Sequence, residues 1–395
     1  MIQEHNHSAH STPPVWGAIG SMTLCVALLI ASEFMPVSLL TPIARDLGAT
    51  EGMAGQAISI SGLFAVATSL LIATASGRAD RRHVLVGLTV AMLVSLALIT
   101  AAPSFGFLMV ARALLGIAIG GFWSMSTATL VRLVPQSDVP KALSIMYMGN
   151  AAATAFAAPL GSWVGGLIGW RGVFWALVPL AAVTLLWQWV SLPSMPPRER
   201  MPAARVLALL RRPHVARAMA GVMLTFGGAF AAFTYFRPFL EHHVHATVPQ
   251  LSLLLLALGS AGFVGTYAAG TLMNRHLYRL LRYLPLALGV TTLALLLAEH
   301  SMWTLALLMF AWGALNAAIP VCWFNWLTQG VRDEPEAGGG LMVAAIQLAI
   351  MLGAGLGGLL LDHVSIAATM VGAAALLAMG SLSIGSGRRL SHASP

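Results

Sequence analysis

The chain has 395 residues, 58% of them hydrophobic and only 9% charged, with a mean hydropathy of +0.83. Soluble domains carry about 25% charged residues, so this composition excludes a soluble enzyme or binding module. The formal net charge of +8 comes with no basic stripe interleaved with exposed aromatics, which argues against a nucleic-acid partner and for basic loops on one side of a bilayer.

Apolar runs long enough to cross a ~30 Å hydrocarbon core predict twelve transmembrane helices: 16–40, 53–75, 84–102, 105–131, 141–166, 170–191, 216–240, 250–273, 284–298, 301–328, 339–361 and 364–385. The fold class is an all-α polytopic membrane protein. Residues 1–15 read as a cytoplasmic tail. They carry no Lys or Arg and no small-residue cleavage site follows the first span, so that span is an uncleaved helix rather than a signal peptide. His5, His7 and His10 belong to the solvated tail, and Cys25 and Cys322 lie in separate spans with no disulfide expected.

Within the first span, Ser32-Glu33-Phe34-Met35-Pro36 stands out, because Glu33 is the only acid of an otherwise apolar run. A charge at membrane depth costs on the order of 2.5–3.5 kcal/mol on insertion scales and so marks a functional position. Pro36 lacks an N–H and frees the Ser32 carbonyl beside the acid. Glu33 reads either as an internally paired acid or as a carboxylate that loads and releases a proton.

Arg78, Arg81, Arg82, Arg132, Lys141, the Arg198–Arg217 cluster, Arg275, Arg279, Arg282, Arg332, Arg388 and Arg389 fall on one side. The opposite loops hold little beyond Arg45 and Arg171, so both termini and the central loop are expected in the cytoplasm. Prolines at 193, 196, 197 and 202 among arginines mark a linker at 193–215 between a bundle at 16–192 and a second at 216–386, with a tail at 387–395. The halves resemble each other at an offset of 200: Leu108-Met109-Val110-Ala111-Arg112 lies on Leu308-Met309-Phe310-Ala311-Trp312, and Ala118-Ile119 on Ala318-Ile319. A duplicated six-plus-six transporter places its substrate near the midplane between the halves.

Ser59, Ser61, Thr68 and Ser69 on the second span suit either a wet cavity or close helix packing. The fourth carries Arg112 and then Gly116, Gly120 and Gly121, a small-residue face that lets a neighbouring backbone approach. Arg112 fits either a structural role on polar groups and carbonyls or proton coupling. Aromatics beside amides in apolar helices (Phe122, Trp123, Asn150, Tyr235, Asn316, Trp323, Asn325 and Gln347) suit a flat, uncharged, polar solute, stacked by rings and hydrogen-bonded by amides. Each aromatic alone also suits core packing. Walker A, His-Glu-x-x-His and Gly-x-Ser-x-Gly patterns are missing, so neither ATP drive, a metal cofactor nor an enzyme reading gains support.

The loop Ser76-Gly77-Arg78-Ala79-Asp80-Arg81-Arg82 resembles the Gly-x-x-x-Asp-Arg loop of the major facilitator superfamily, with Ser76 in place of the leading Gly. Ala157-Ala158-Pro159-Leu160-Gly161-Ser162 resembles the fifth-helix signature of its twelve-helix drug:proton antiporter branch, with alanine before the proline. The resemblance implies gating by Asp80, Arg81, Arg82, Pro36 and Pro159, and proton coupling through Glu33 and Arg112. Pro36-Val37-Ser38-Leu39-Leu40-Thr41-Pro42, Gly120-Gly121-Phe122-Trp123, Gly169-Trp170-Arg171 and Phe233-Thr234-Tyr235 further resemble bacterial efflux pumps for purine ribonucleosides. This implies a monomer in a bacterial inner membrane, with the proton as its only coupling ion, that exports inosine- or guanosine-like solutes. Sugar or multidrug efflux is the alternative within transport; a membrane receptor or scaffold on the same fold is the alternative outside it.

Overall fold

The computed structural model describes residues 16–75, 79–196, 203–298 and 301–385, together with Gly387 and Leu390. The tail histidines His5, His7 and His10, the loop residues Ser76, Gly77 and Arg78, Arg198 and Arg200 of the linker cluster, and Arg388 and Arg389 lie outside the described residues.

Among the described residues eleven helices are long and apolar enough to cross a membrane, and one of them, Lys141–Ser191, holds two spans, so twelve result. They are α1 (Trp16–Asp46), α2 (Glu51–Ala75), α3 (Arg81–Thr100) and α4 (Phe105–Leu133). Next come α5 and α6, which share the element Val139–Ser191 and part at Gly169, then α7 (Pro213–Phe233), α8 (Val248–Met273) and α9 (Arg275–Leu296). The last three are α10 (Met302–Gly330), α11 (Pro335–His363) and α12 (Ile366–Ile384).

The boundary of α5 and α6 is a backbone event. Gly169 has φ 75° and ψ 165°, a left-handed conformation that side-chain-bearing residues rarely adopt. The two residues after it then hold the end of α1. Trp170 Nε1 donates to Asp46 at 3.2 Å, and Arg171 forms an ion pair with the same carboxylate while its other arm donates to the Ala102 carbonyl at 2.7 Å. The first helix thus runs six residues beyond its expected end. α9 begins nine residues earlier than the apolar run suggested, because Arg275, Arg279 and Arg282 are helical and only His276, at φ −133°, interrupts the pass from α8. Large apolar side chains such as Leu167, Val190, Leu253 and Trp303 are exposed on the outer surface, as lipid contact requires.

Each half has its own apolar core, one centred on α1, α3, α4 and α5, the other on α7, α8, α10 and α11. Glycines let helices within a half touch through their backbones. A side chain at Gly116 or Gly120 of α4 would place its Cβ 2.2 or 2.1 Å from the carbonyls of Ser61 and Ala65 on α2. Gly313 of α10 lies likewise on the Leu258 carbonyl of α8. Two helix pairs carry most of the contact between the halves: α2 with α11 and α5 with α8. At the second of these, Gly259 rests on the Ala155 carbonyl, the group that Pro159 leaves without an N–H partner.

Gly120→Ala should therefore destabilise the protein by about 1–3 kcal/mol, as overpacked cores do. At Gly87 of α3 an added Cβ would meet nothing within 4 Å, so Gly87→Ala should leave stability unchanged or slightly raised. Thermal unfolding of both variants in detergent checks the contrast, and equal melting temperatures would refute the close approach of α4 to α2.

Candidate functional site

The acid of α1 sits where the halves meet. Glu33 is buried and faces Gln347 of α11, whose Nε2 lies 3.5 Å from a carboxylate oxygen. One residue on, the Phe34 ring packs between two rings of α7, with centroids 5.8 Å from Phe230 and 5.7 Å from Phe233. One acid, one amide and three rings therefore form a contact shared by both halves.

Arg112 lies fully buried beside them, and Glu33 is its electrostatic counterpart. Its Nη1 donates to the Ser32 carbonyl at 2.8 Å, the oxygen freed by Pro36. Its Nε donates to the Ala57 carbonyl of α2 at 3.0 Å, while its own carbonyl accepts from Ser61 at 2.9 Å. The remaining nitrogen, Nη2, is buried without a hydrogen-bond partner. Arg112 is thus held by backbone carbonyls, the structural partners its sequence position suggested, and still offers one donor.

A second ring of polar contacts joins the halves at the end that carries Asp46. Thr50 Oγ1 and the Gly52 N–H donate to Asp362 of α11 at 2.5 and 3.0 Å, so a carboxylate of one half caps the first turn of α2 in the other. Gly52 permits this, since a Cβ there would fall 2.4 Å from Asp362. The Tyr235 hydroxyl donates to the Ala354 carbonyl of its own half at 2.7 Å and lies 3.5 Å from the Gly52 carbonyl of the other. Arg237 donates to the Ser38 carbonyl freed by Pro42, and His242 pairs with Glu51 at 2.9 Å.

The remaining residues singled out in the sequence fall in different places. Phe122 is buried in the core of the first half, and Trp323 is buried against Trp326 in the second, so both pack rather than face the shared contact. Tyr235 belongs to the Asp46 end. Trp123, half-buried, stacks on Tyr147, and Asn325 accepts from Gln329. Asn150 and Asn316 are half-buried, and Pro36 and Pro159 act through the carbonyls they free. The rings that meet at the seam are Phe34, Phe230 and Phe233. Phe233 lies in the Phe233-Thr234-Tyr235 run singled out in the sequence; Phe230 was missed because an apolar helix hides which of its faces meets the partner half, and its spacing of three from Phe233 was the available signal.

Asp80 does not reach across to the other half in this conformation. Its carboxylate caps α3 through the Arg82 N–H at 2.8 Å and holds the segment after α6 through the Met195 N–H at 2.9 Å and the Ser194 hydroxyl. Arg82 donates to the Trp189 carbonyl at 2.5 Å and lies over the Trp189 ring, and the Arg81 N–H donates to the Met195 carbonyl. The loop therefore fixes the geometry of its own half.

A sequence model of the Major Facilitator Superfamily matches residues 22–339. The chain belongs to that superfamily. It is a membrane transporter and not an enzyme. It is 48% identical over 366 residues to the transcription regulatory protein OpdE of Pseudomonas aeruginosa, covering 92% of this chain and 91% of that one. It is 38% identical over 382 residues to the purine ribonucleoside efflux pump NepI of Escherichia coli K12, covering 97% and 96%. Among solved structures it resembles a D-xylose–proton symporter, with a TM-score of 0.75 at 15% identity over 94% of this chain and 97% of that one. A bacterial homologue of the human lysosomal transporter Spinster, inward-facing and occupied, gives 0.74 at 14% identity over 96% and 98%. At those identities the structures speak for the fold alone.

Partial burial pushes the Asp80 carboxyl up, but the Ser194 hydroxyl and the Met195 and Arg82 N–H groups outweigh it and hold the group below the usual carboxylate range. Its stabilising contribution is therefore present above the unfolded value of about 3.9 and is lost as pH falls through the lower folded value. Asp80→Asn should melt below the parent at neutral pH, and the gap should close below about pH 4. A gap independent of pH would rule out the charged cap as its source.

Proposed function

We propose that this transporter exports small neutral solutes, purine ribonucleosides such as inosine and guanosine foremost, in exchange for protons across a bacterial inner membrane. The observation that carries the reading is the contact of Glu33, in the first half, with Gln347, in the second. An acid at the seam links its protonation to whether the halves are together, which is what coupling by alternating access requires. The extensive similarity to a purine ribonucleoside efflux pump supports the solute class. A purine is flat and rich in hydrogen-bonding edges, suited to the rings of Phe34, Phe230 and Phe233 and to the Gln347 amide.

With both termini in the cytoplasm, as the arginine asymmetry indicates, the Asp46 end faces outward, and the contacts there close the cavity to the outside. Residues 16–192 and 216–386 then rock about the seam. A proton moving inward down ~100 mV contributes about 2.3 kcal/mol before any pH gradient, enough to drive a neutral solute outward against a modest concentration ratio. A second reading, a membrane receptor on the same fold, draws on the relative named as a transcription regulatory protein.

Labelled inosine flux in proteoliposomes under an imposed pH gradient tests the first reading. The parent should accumulate or expel inosine with the gradient. Glu33→Gln should lose that drive by about tenfold or more while keeping exchange of labelled for unlabelled inosine. Full gradient-driven flux in the variant would remove Glu33 as the proton site. Gradient dissipation by sugars or lipophilic cations with no inosine flux would keep antiport and reject the purine. Silence with every solute, from folded protein, would favour the receptor.

A further inference from the structure

The Asp46 end holds a cluster that the transport site does not use. Glu51 opens α2 in the first half; Glu241 and His242 lie in the second, on a π-helical turn at Phe239–His243. Such turns are rare and concentrate at functional sites. One donor atom from each of the three residues lies within 4.8 Å of the others, and His242 Nε2 is 2.9 Å from a Glu51 oxygen.

The arrangement around Glu241 is that of a ligand held ready by a second partner. Arg237 grips one of its oxygens with Nε at 2.8 Å and Nη2 at 2.7 Å, and is itself fixed on the Ser38 carbonyl. The other oxygen, Oε2, is sealed from solvent and has no hydrogen-bond partner. Buried carboxylate oxygens are normally bonded, so this unpaired one is left for a partner that the protein itself does not supply. Two carboxylates outweigh the single Arg237 charge, leaving the cluster negative when His242 is neutral. His242 is half-exposed and supplies access from solvent.

Two carboxylates with an imidazole are the donor set of a three-ligand zinc site completed by water. Bonds of about 2.0–2.2 Å place tetrahedral ligand atoms within roughly 3.6 Å of each other, which small rotations of these side chains reach. We propose that Glu51, Glu241 and His242 bind a transition-metal ion of the zinc class, and that the ion cross-links the two halves and holds this end closed. Because its ligands come from both halves, the ion favours the closed conformation by its differential affinity for it. Only the expected effect on flux rests on the transport reading; the binding does not.

The test uses the full chain with His5, His7 and His10 replaced by Gln, so that the tail cannot chelate. Zinc binding is measured by competition with a chromophoric chelator, and melting temperature and inosine flux with and without zinc. The parent should bind one zinc ion, melt higher with it, and transport several-fold more slowly until EDTA is added, with magnesium inert. Glu51→Gln and His242→Gln should each lose the binding and the thermal shift. Binding unchanged in both variants, or missing in the parent, overturns the site. Binding is read without solute, so that outcome stands whether or not inosine is carried; zinc bound in the parent with no inosine flux would count against the transport reading alone.

Discussion

A proline within a membrane helix leaves the carbonyl four residues earlier without its N–H, and hydrocarbon offers no water to replace it. Much of this molecule follows from where three such carbonyls find partners. On α1, Pro36 frees Ser32 and Pro42 frees Ser38; Arg112 takes the first oxygen and Arg237 the second. On α5, Pro159 frees Ala155, and Gly259 of α8 comes down on it. Arg112 belongs to the half that contains α1, whereas Arg237 and Gly259 belong to the other. The helix that carries the acid is therefore anchored to its own half near the acid and to the partner half less than two turns later. Two of the three prolines convert a lost helical bond into a contact between halves.

Placing Arg112 on carbonyls also decides what Glu33 can do. A buried ion pair is costly to break, since removing one charge strands the other. Here the guanidinium keeps two carbonyl acceptors whichever protonation state the acid adopts, so its position does not depend on the carboxylate. Glu33 is left with a long contact to Gln347, a neutral group that donates to a carboxylate and, through its carbonyl oxygen, accepts from a carboxylic acid. An amide partner tolerates both forms where a second arginine would accept only one.

The parts of this design legible in the sequence are those governed by local rules. Hydropathy finds twelve spans because the hydrocarbon core sets their length, and Glu33 with Pro36 is conspicuous because both violate the composition of their span. Arg112 was visible for the same reason. The ends of helices were less so: α1 continues to Asp46 and α9 starts at Arg275 because polar residues at the interface still satisfy their backbone by remaining helical. Least legible was the choice of face. Trp323 and Phe230 stand in similarly apolar helices, yet one is packed inside its half and the other meets Phe34 across the seam. Which face turns inward depends on neighbouring helices, and no periodicity within a single helix contains that information when every face is apolar. Arg237 and Asp362, both at helix ends, likewise carry no mark in the sequence of the contacts they make across the seam.

The two ends of the molecule use their charges differently, and the difference suits a machine that must open. At the Asp80 end the carboxylate is spent on caps inside one half, stiffening that half as a unit. At the Asp46 end the polar contacts between halves are hydrogen bonds and partly exposed pairs (Asp362 on the first turn of α2, Arg237 on Ser38, and His242 on Glu51), set beside a small apolar cluster of Leu40, Ala44 and Ala54 with Tyr235. Net contributions of about 0.5–1.5 kcal/mol each make such bonds individually weak. His242 is already half-exposed, so water can replace its partner when the end opens. The small apolar cluster loses its stabilisation on exposure, whereas the polar contacts exchange one hydrogen bond for another. The polar contacts of this end can thus be specific in geometry without being deep in energy, and two conformations within a few kcal/mol of each other are what a transported solute needs in order to shift the balance.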